Sequence, residues 1–367
     1  MTEIMTASHQ WANRPADERF TSLTALAAFT RFSRNNSARR VMSNRDLTVV
    51  PSATDPYDIG VVGKKGTPAS LTHWGFGQLA ARANVPAGYL RDNRLPGALI
   101  ADNLNWGLHH SRDVESVSVL LRRDEQQAVS LAAVNGPDYG VVWNSDIAET
   151  MVAEFGDGVS GHWRIPGEFG RRVEPTKANT TLYASDRDMW AFLADEDRRI
   201  ECPNRRDGST GSLARGFYVA NSEVGSSTLI LGMFLFDYVC ANRIIWGAEG
   251  FKEIRIRHTA GAPHRWIEEI KPILRQYAEA APGNVENTIK AAQAARIKGD
   301  VETFLANRFG KSAVNAIVAA HEREEHKPIA TIWDAITGAT AYAKALTHTD
   351  SRVKIERTAG ELLALAA

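Results

Sequence analysis

The stretch from Arg215 to His258 constrains the fold more than any other part of the chain. Its apolar residues are mostly β-branched, aromatic or long, which favours a pleated and buried strand surface. Between Thr228 and Val239 both alternating faces are apolar: one carries Ile230, Phe234 and Phe236, and the other carries Leu229, Leu231, Leu235 and Val239. Strands with this pattern are covered on both faces. The stretch therefore predicts central strands of a sheet, with C-terminal helices over one side.

Polar side chains interrupt this apolar stretch in two short motifs. The first motif, NSEVG, contains Asn221 and Glu223, and the second motif, CAN, contains Cys240 and Asn242. A buried polar group without a partner costs about 1–3 kcal/mol, so we expect these side chains to be paired. We predict that the two motifs lie close together in space. We also predict that Glu223 accepts hydrogen bonds from Arg257 or from backbone N–H groups.

The flanking sequence predicts an α+β fold in three parts. Residues 1–112 form a mixed N-terminal region with a helical hairpin, residues 113–260 a β-rich central domain, and residues 261–367 a helical C-terminal region. The central domain contains a hairpin from SVSVLLRR to QAVSLAAV, a second from TLYAS to MWAFLAD, and a short strand at Tyr139–Trp143. The prediction is a central, mostly antiparallel sheet with N-terminal helices and a helical C-terminal third.

The helical hairpin lies in the segment QLAARANVPAGYLRDN, where Asn84 ends the first helix. The predicted order of a helix with a small residue, a tight turn and a second helix with arginines is similar to that of a helix-turn-helix motif. However, the second helix offers only Arg91, Asn93 and Arg94 for contacts with bases, and Asp92 opposes them. The sequence therefore favours a packed helical hairpin.

Charge and cysteine content narrow the class of protein. Lys plus Arg and Asp plus Glu are balanced at 43 each, so a nucleic-acid site would have to be a local patch. Cys202 and Cys240 are too few for a disulfide scaffold or a cysteine zinc site, which indicates a reducing, cytoplasmic compartment. We expect no signal peptide, and no membrane partner, because polar residues interrupt the apolar window Leu229–Trp246.

A catalytic centre is one interpretation of the polar residues. Glu223, Asp237 and His258 could surround an ion, as in a metal-dependent hydrolase or nuclease. The sequence contains no His-x-x-x-His or Cys-x-x-Cys spacing, and we predict no metal and no cofactor. Cys240 could be a nucleophile beside His258 or Glu223, although a cysteine in an apolar strand usually serves as a small hydrophobic residue. The sequence favours a binding protein over an enzyme.

Nucleic-acid binding is the other interpretation of the same stretch. Arginines that contact phosphates beside aromatic rings that stack on bases are typical of single-strand grooves. The predicted phosphate contacts are Arg215, Arg243, Arg255 and Arg257, and the predicted stacking residues are Phe217 and Tyr218. The structural alternative is a solvated strand face whose arginines form ion pairs with Glu249 and Glu253.

The same segments resemble the DUF932 family. The resemblance is carried by TLYASDRDMWAFLAD, by GFYVANSEVGSSTLILGMFLFDYVCANRIIWG, by RIRHT, and by the closing TIWDAITGATAYAKALTHTDSRVKIERTAGELL. LTHWGFGQLAARANVPAGYL is similar to the N-terminal region of that family, so the resemblance covers most of residues 70–365.

The resemblance implies where such a protein occurs rather than which reaction it catalyses. Members of the family are phage- and plasmid-borne proteins, often found near replication, recombination or host-defence functions. This context favours a cytoplasmic protein that binds single-stranded DNA, with a homo-oligomer as an open possibility. The alternatives are the metal-dependent hydrolase or nuclease, and a protein-interaction module that acts on host machinery.

Overall fold

The computed structural model describes residues 14–63, 68–92, 94–110, 115–166, 174–202, 211–237, 242–245, 253–279 and 285–366. The strands in these ranges are β1 (Arg19–Phe20), β2 (Ser37–Ser43), β3 (Thr48–Pro51), β4 (Ile59–Val62), β5 (Ser70–Leu71), β6 (Ser116–Arg123), β7 (Val129–Asn135), β8 (Trp163–Arg164), β9 (Leu182–Ala184), β10 (Met189–Cys202), β11 (Gly211–Asn221), β12 (Leu229–Asp237), β13 (Asn242–Ile245) and β14 (Ile254–Ile256).

Helices precede, interrupt and follow these strands. They are α1 (Leu23–Asn35), α2 (His73–Arg82), α3 (Ala87–Asp92), α4 (Gly97–His110), α5 (Asn144–Phe155), α6 (Ala262–Arg265), α7 (Lys271–Glu279), α8 (Val285–Ala294), α9 (Val301–Phe309), α10 (Val314–Glu325), α11 (Ile332–Lys344) and α12 (Thr349–Glu361). A π-helical turn, Trp266–Ile270, joins α6 to α7. This distribution confirms the predicted α+β fold.

A large antiparallel sheet forms the centre of the molecule. Its strand order is β1-β9-β10-β11-β12-β13, with β8 also paired to β10 and β14 also paired to β12. β14 pairs with the beginning of β12, where Leu229 lies opposite Ile256, and β13 pairs with its end, where Asp237 lies opposite Asn242. The predicted hairpin from TLYAS to MWAFLAD is confirmed as β9 and β10.

Both faces of this sheet are covered, as the alternating pattern predicted. The back face carries Phe217, Leu231 and their neighbours, and it packs against α1, α5 and α7. C-terminal helices cover the continuation of the back face around Leu235. The front face carries Trp190, Phe192, Tyr218, Ile230, Phe234 and Phe236, and Val353 of α12 packs against it. The prediction that C-terminal helices cover this strand is confirmed.

Two glycines make room for aromatic rings on neighbouring strands. Gly232 lies opposite Tyr218, and Gly216 lies opposite Phe234. A Cβ atom on Gly232 would lie 2.2 Å from the Tyr218 ring, and one on Gly216 would lie 2.4 Å from the Phe234 ring. Each ring therefore occupies the space that a side chain on the opposite strand would need.

A second, four-stranded sheet has the order β2-β6-β7-β5. The predicted hairpin of residues 116–135 is present, but its strands pair with β2 and β5 rather than with the central sheet. This sheet crosses the predicted boundary at residue 112, and the three-part division remains a prediction. The predicted strand at Tyr139–Trp143 is wrong, since this segment is assigned to no strand. Its polar contacts are instead with the loop after β11 and with His258.

The predicted helical hairpin is present as α2 and α3, and the first helix ends at Asn84 as predicted. Asn84 has φ of 56°, a left-handed conformation that ends the first helix. Arg91 lies over the Phe76 ring, 4.9 Å from its centroid, and donates to the carbonyl of His73 at 2.7 Å. These contacts hold α3 against α2. No helix in the described ranges is both long and apolar enough to cross a membrane.

Candidate nucleic-acid interface and sheet junction

Arg215 and Phe217 lie on the back face of the central sheet, because residues two apart on a strand share a face. Both side chains are buried. Arg215 donates to Asp195 Oδ2 from Nε at 3.2 Å and from Nη2 at 3.1 Å, and to the carbonyl of Tyr277 at 3.0 Å. The assignments of Arg215 to phosphate and Phe217 to base stacking are therefore corrected: both side chains are part of the core.

Tyr218 and Arg243 lie on the front face, beneath α12, and are also buried. Arg243 lies 3.9 Å from the centroid of the Phe192 ring, and its Nε donates to Glu356 Oε1 at 3.0 Å. Burial and the nearby charge of Arg352 lower the pKa of Arg243 to about 10. Neither the Tyr218 ring nor the Arg243 guanidinium reaches the surface, which corrects their assignment as direct contacts.

Arg255 and Arg257 are exposed, as the alternation in RIRH predicted. The Arg255 side chain is 48% exposed and donates to Glu253 Oε1 at 2.6 Å. Ile256 and His258 point to the buried side of the same strand and its continuation. The pair between Arg255 and Glu253 matches the structural alternative in part, and Glu249 lies outside the described residues.

Glu253 joins this edge of the sheet to α12. It accepts hydrogen bonds from the hydroxyl of Tyr218 at 2.6 Å and from Arg357 Nη2 at 2.6 Å, in addition to Arg255. Although burial opposes the shift, Tyr218 and Arg357 hold the pKa of Glu253 below its ordinary value. Glu253 is therefore a charged bridge between β14, the front face and α12.

Glu356 forms a second bridge of the same kind. Its Oε1 accepts from Arg243 at 3.0 Å and from Arg352 at 2.7 Å. We use the term arginine cluster for these two carboxylates and the cations around them. Its members are Arg243, Glu253, Arg255, Arg257, Arg352, Lys354, Glu356 and Arg357. Four arginines therefore share two carboxylates in this part of the described structure, and Arg257 and Lys354 add two exposed cations two residues from Arg255 and Glu356 in the sequence.

Glu223 of the NSEVG motif is buried, with 2% of its surface exposed. Its Oε1 accepts from the backbone N–H of Asn144 at 2.7 Å, and its Oε2 accepts from Arg122. The predicted backbone donor is confirmed, whereas the guanidinium comes from Arg122 rather than from Arg257. Burial raises the pKa of Glu223, and the charge of Arg122 opposes that rise.

The rest of NSEVG connects the two sheets. The carbonyl of Val224 accepts from Trp74 Nε1 at 3.0 Å and from Gln78 Nε2 at 2.9 Å, both on α2. Asn221 Nδ2 donates to the carbonyl of Val142 at 2.8 Å. We call NSEVG and its bonded partners the sheet junction: Trp74, Gln78, Arg122, Tyr139, Val142, Asn144 and residues 221–225. Its polar side chains hold the N-terminal sheet and α2 against the central sheet.

His258 lies beside this junction. Its Nδ1 lies 3.0 Å from the carbonyl of Gly140, and its ring stacks on Tyr139 with 4.9 Å between centroids. The Tyr139 hydroxyl donates to the carbonyl of Ser222 at 2.7 Å. Burial lowers the pKa of His258. The packed environment of His258 thus favours its neutral form.

The second motif lies elsewhere. Asn242 pairs with Asp237, seven residues along β12 from Ile230, which pairs with Ala220 near NSEVG. At about 3.3 Å per residue, this separation is roughly 23 Å. The prediction that NSEVG and CAN lie close together is wrong, because they flank opposite ends of one strand. Cys240 lies outside the described residues.

The same separation bears on the proposed ion site. Asp237 ends β12, whereas Glu223 and His258 lie near its beginning. Within the described ranges, no group of three or more His, Cys, Asp or Glu side chains could hold a metal ion. The arrangement that the hydrolase alternative requires is therefore not formed by Glu223, Asp237 and His258.

Residues 170–362, just over half of the chain, match the sequence model of the family described as a domain of unknown function, DUF932. The chain belongs to the DUF932 family. The matched range of this DUF932 protein contains NSEVG and the whole arginine cluster, but not Arg122, Trp74 or Gln78. No curated protein and no solved structure matches the chain.

Proposed function

We propose that this DUF932 protein binds nucleic acid through the arginine cluster, with single-stranded DNA as its first candidate ligand. The observation that carries the proposal is the imbalance of charge in the cluster, where four arginines share two carboxylates and the exposed Arg257 and Lys354 add two further cations. A local excess of cations attracts a polyanion even when the whole chain is neutral.

The geometry of the cluster suits phosphate contacts. Arg255, Arg257 and Lys354 are exposed, and Arg352 and Arg357 are partly exposed. Glu253 fixes Arg255 and Arg357 on one carboxylate, so these guanidiniums are ordered before any ligand arrives. Arginine presents a planar set of donors that matches phosphate oxygens. Preordered arginines lose less conformational entropy on binding.

The buried rings change what kind of binding we propose. Because Phe217 and Tyr218 are enclosed in the core, bases do not stack on them in this conformation. Binding would then depend on phosphates, and contacts with phosphates carry little sequence information. We therefore propose affinity that depends strongly on salt and weakly on base sequence.

The resemblance to phage- and plasmid-borne proteins supports the same proposal by association. In that setting the protein would act in the cytoplasm during replication, recombination or host interaction. A protein-interaction module that acts on host machinery becomes the preferred function if nucleic-acid binding fails.

The decisive experiment measures binding of a labelled single-stranded oligonucleotide by fluorescence anisotropy at several salt concentrations. Each phosphate contact should contribute about −0.7 to the slope of log affinity against log salt. Replacing Arg255, Arg257 and Lys354 with Gln should therefore make the slope shallower by about 2. The matched control replaces Lys298, Lys311 and Arg323, exposed cations before and on α10, and changes the net charge equally.

Two results would contradict the proposal. An absence of salt-dependent binding by the wild-type protein at micromolar concentration would reject nucleic acid as the ligand. Equal loss in the triple variant and its control would show that net charge acts rather than the arginine cluster. Double-stranded DNA and single-stranded RNA in the same assay determine the strand preference.

A further inference from the structure

A groove in the N-terminal part of the chain takes no part in the proposed function. It lies where the end of α2 crosses α4, and it has a volume of about 920 Å³. Gly107 makes this crossing close, because a Cβ atom there would lie 2.0 Å from the carbonyl oxygen of Ala83. Side chains with polar or aromatic groups line the groove, including Asn44, Arg82, Asn84, Asp102, Trp106 and His110.

Trp106 is the unusual feature of this groove. It is 69% exposed, more than any other large hydrophobic side chain in the described ranges. The His110 ring stacks on it with 3.9 Å between centroids and 16° between planes. His110 Nδ1 lies 3.1 Å from the carbonyl of Trp106, which fixes the imidazole in this position. The two rings form a ready-made stack whose indole is largely in water, where an apolar surface is costly.

The polar groups around the stack indicate what kind of ligand fits. The amide of Asn84 offers donors and an acceptor, and that of Asn103, whose Nδ2 donates to the carbonyl of Leu99 at 2.7 Å, keeps its Oδ1 and one N–H for a ligand. Arg82 is paired with Glu115 at 2.6 Å, and Asp102 adds a second, exposed carboxylate. The groove therefore carries one guanidinium against two carboxylates, which disfavours a phosphate but not a neutral ring with hydrogen-bonding edges.

We propose that this groove binds a purine or pyrimidine base stacked on Trp106. Aromatic side chains bind unstacked bases through their faces, and amide side chains bind the hydrogen-bonding edges of those bases. The base could belong to a free nucleoside or to an unpaired position in a nucleic-acid strand. The site lies on α2 and α4, apart from the residues of the arginine cluster, and the two proposals can fail independently.

The test uses the full-length protein with adenosine and cytidine at millimolar concentration. Binding is followed through the indole N–H resonance of Trp106, assigned by its loss in Trp106→Phe. Nucleosides should shift this resonance. In ligand-observed titrations, Trp106→Ala should weaken binding by about fivefold or more, the range expected for one stacked base. Adenosine monophosphate should bind no more tightly than adenosine, because Asp102 and Glu115 repel the phosphate.

Tyr89→Ala is the matched control, since Tyr89 is 57% exposed on the neighbouring α3 and does not line the groove. It should leave nucleoside binding unchanged. Both substitutions affect surface residues, and circular dichroism checks that each variant is folded. The proposal is overturned if neither nucleoside shifts the Trp106 resonance, or if Trp106→Ala binds as tightly as wild type. It is also overturned if arginine amide, a cation that could lie on the indole, binds there while the nucleosides do not.

A single-stranded oligonucleotide distinguishes the two sources of the base. If Trp106→Ala lowers oligonucleotide affinity without changing the salt slope, the bound base comes from a strand. If only nucleoside binding changes, the ligand is a free nucleoside. Variants of the arginine cluster should change the salt slope for oligonucleotides and leave nucleoside binding at Trp106 intact.

Discussion

The sheet junction and the arginine cluster both pair charged side chains beside the central sheet, but they differ in the balance of charge. At the junction, Glu223 has one guanidinium and one backbone N–H, and almost none of its surface is exposed. In the cluster, Glu253 and Glu356 serve more cations than they can neutralise, and several of those cations reach solvent. A carboxylate that is balanced by one guanidinium indicates a structural role. An excess of cations over carboxylates leaves positive charge available to a ligand.

The largest expected effect is on stability at the junction. Glu223→Ala removes the carboxylate that accepts from Arg122 and from the N–H of Asn144, and leaves Arg122 with the carbonyl of Asp186 at 3.0 Å; breaking a buried pair in this way costs about 3–5 kcal/mol. Urea unfolding followed by tryptophan fluorescence measures the loss. Glu223→Gln keeps an acceptor for Asn144 and should lose less. A loss below about 1 kcal/mol for the alanine variant would show that the junction does not hold the two sheets together.

The identity of the Glu223 partner shows what could and could not be predicted from the sequence. The alternating apolar pattern predicted a strand that is covered on both faces, because such a pattern has no other low-energy arrangement. The same reasoning predicted that Glu223 needs a donor. It could not select Arg122, which lies 101 residues earlier in the chain. Partners at this distance depend on how two sheets dock, and local pattern carries no information about docking.

The predicted nucleic-acid residues show the same division. Strand alternation separates Phe217 from Tyr218, yet burial of the Tyr218 side depends on α12, more than a hundred residues later. The sequence of α12 does contain one indication of this burial. In SRVKIERT the charged Glu356 falls on the same helical stripe as Val353 and Gly360, and a carboxylate on a buried stripe requires a cation opposite it. The motif CAN does not lie near NSEVG because the two motifs flank opposite ends of β12, and the length of that strand separates them.

The next prediction concerns Glu253 in the arginine cluster. Glu253→Gln removes the carboxylate that neutralises Arg255 and Arg357. Loss of its charge-assisted hydrogen bonds should lower the free energy of unfolding by about 1–3 kcal/mol. Affinity for single-stranded DNA should rise at low salt, and the salt slope should become steeper by up to about 0.7, because Arg357 becomes available to phosphates in addition to Arg255.

Glu269→Gln is the control for this change. It removes the carboxylate of an exposed pair with Arg265, whose Nε lies 2.6 Å from Glu269 Oε1, and should leave the salt slope as it is in wild type. A salt slope for Glu253→Gln equal to that of the control would move the binding surface away from Glu253.

The smallest expected effect is a dependence on pH at the junction. Burial, with the charges of Arg91 and Arg187, lowers the pKa of His73, beside Trp74, from 6.5 to about 4. The unfolded chain therefore takes up a proton that the folded chain refuses as the pH falls through this window. Stability from His73 is present above pH 6.5 and is lost towards pH 4.

The check is a comparison of unfolding midpoints for His73→Gln and wild type between neutral and acidic pH. The variant should lose less stability over this range than wild type. The same substitution at the exposed His264 of α6 should follow wild type. Parallel curves for His73→Gln and wild type would mean that His73 is protonated in the folded protein as readily as in the unfolded chain.

The two glycines opposite aromatic rings have a consequence for how related sequences can vary. Gly232 and Tyr218 fill one shared volume, and Gly216 and Phe234 fill another. A larger residue at Gly232 is acceptable only after the Tyr218 ring has been replaced by something small, whereas Gly216 is also closed by the backbone carbonyl oxygen of Leu193, 2.6 Å from an added Cβ atom. The order of inheritance is therefore constrained, with the ring changing first. Descendants that enlarge Gly232 should already carry a small residue at position 218, across the strand pair from it.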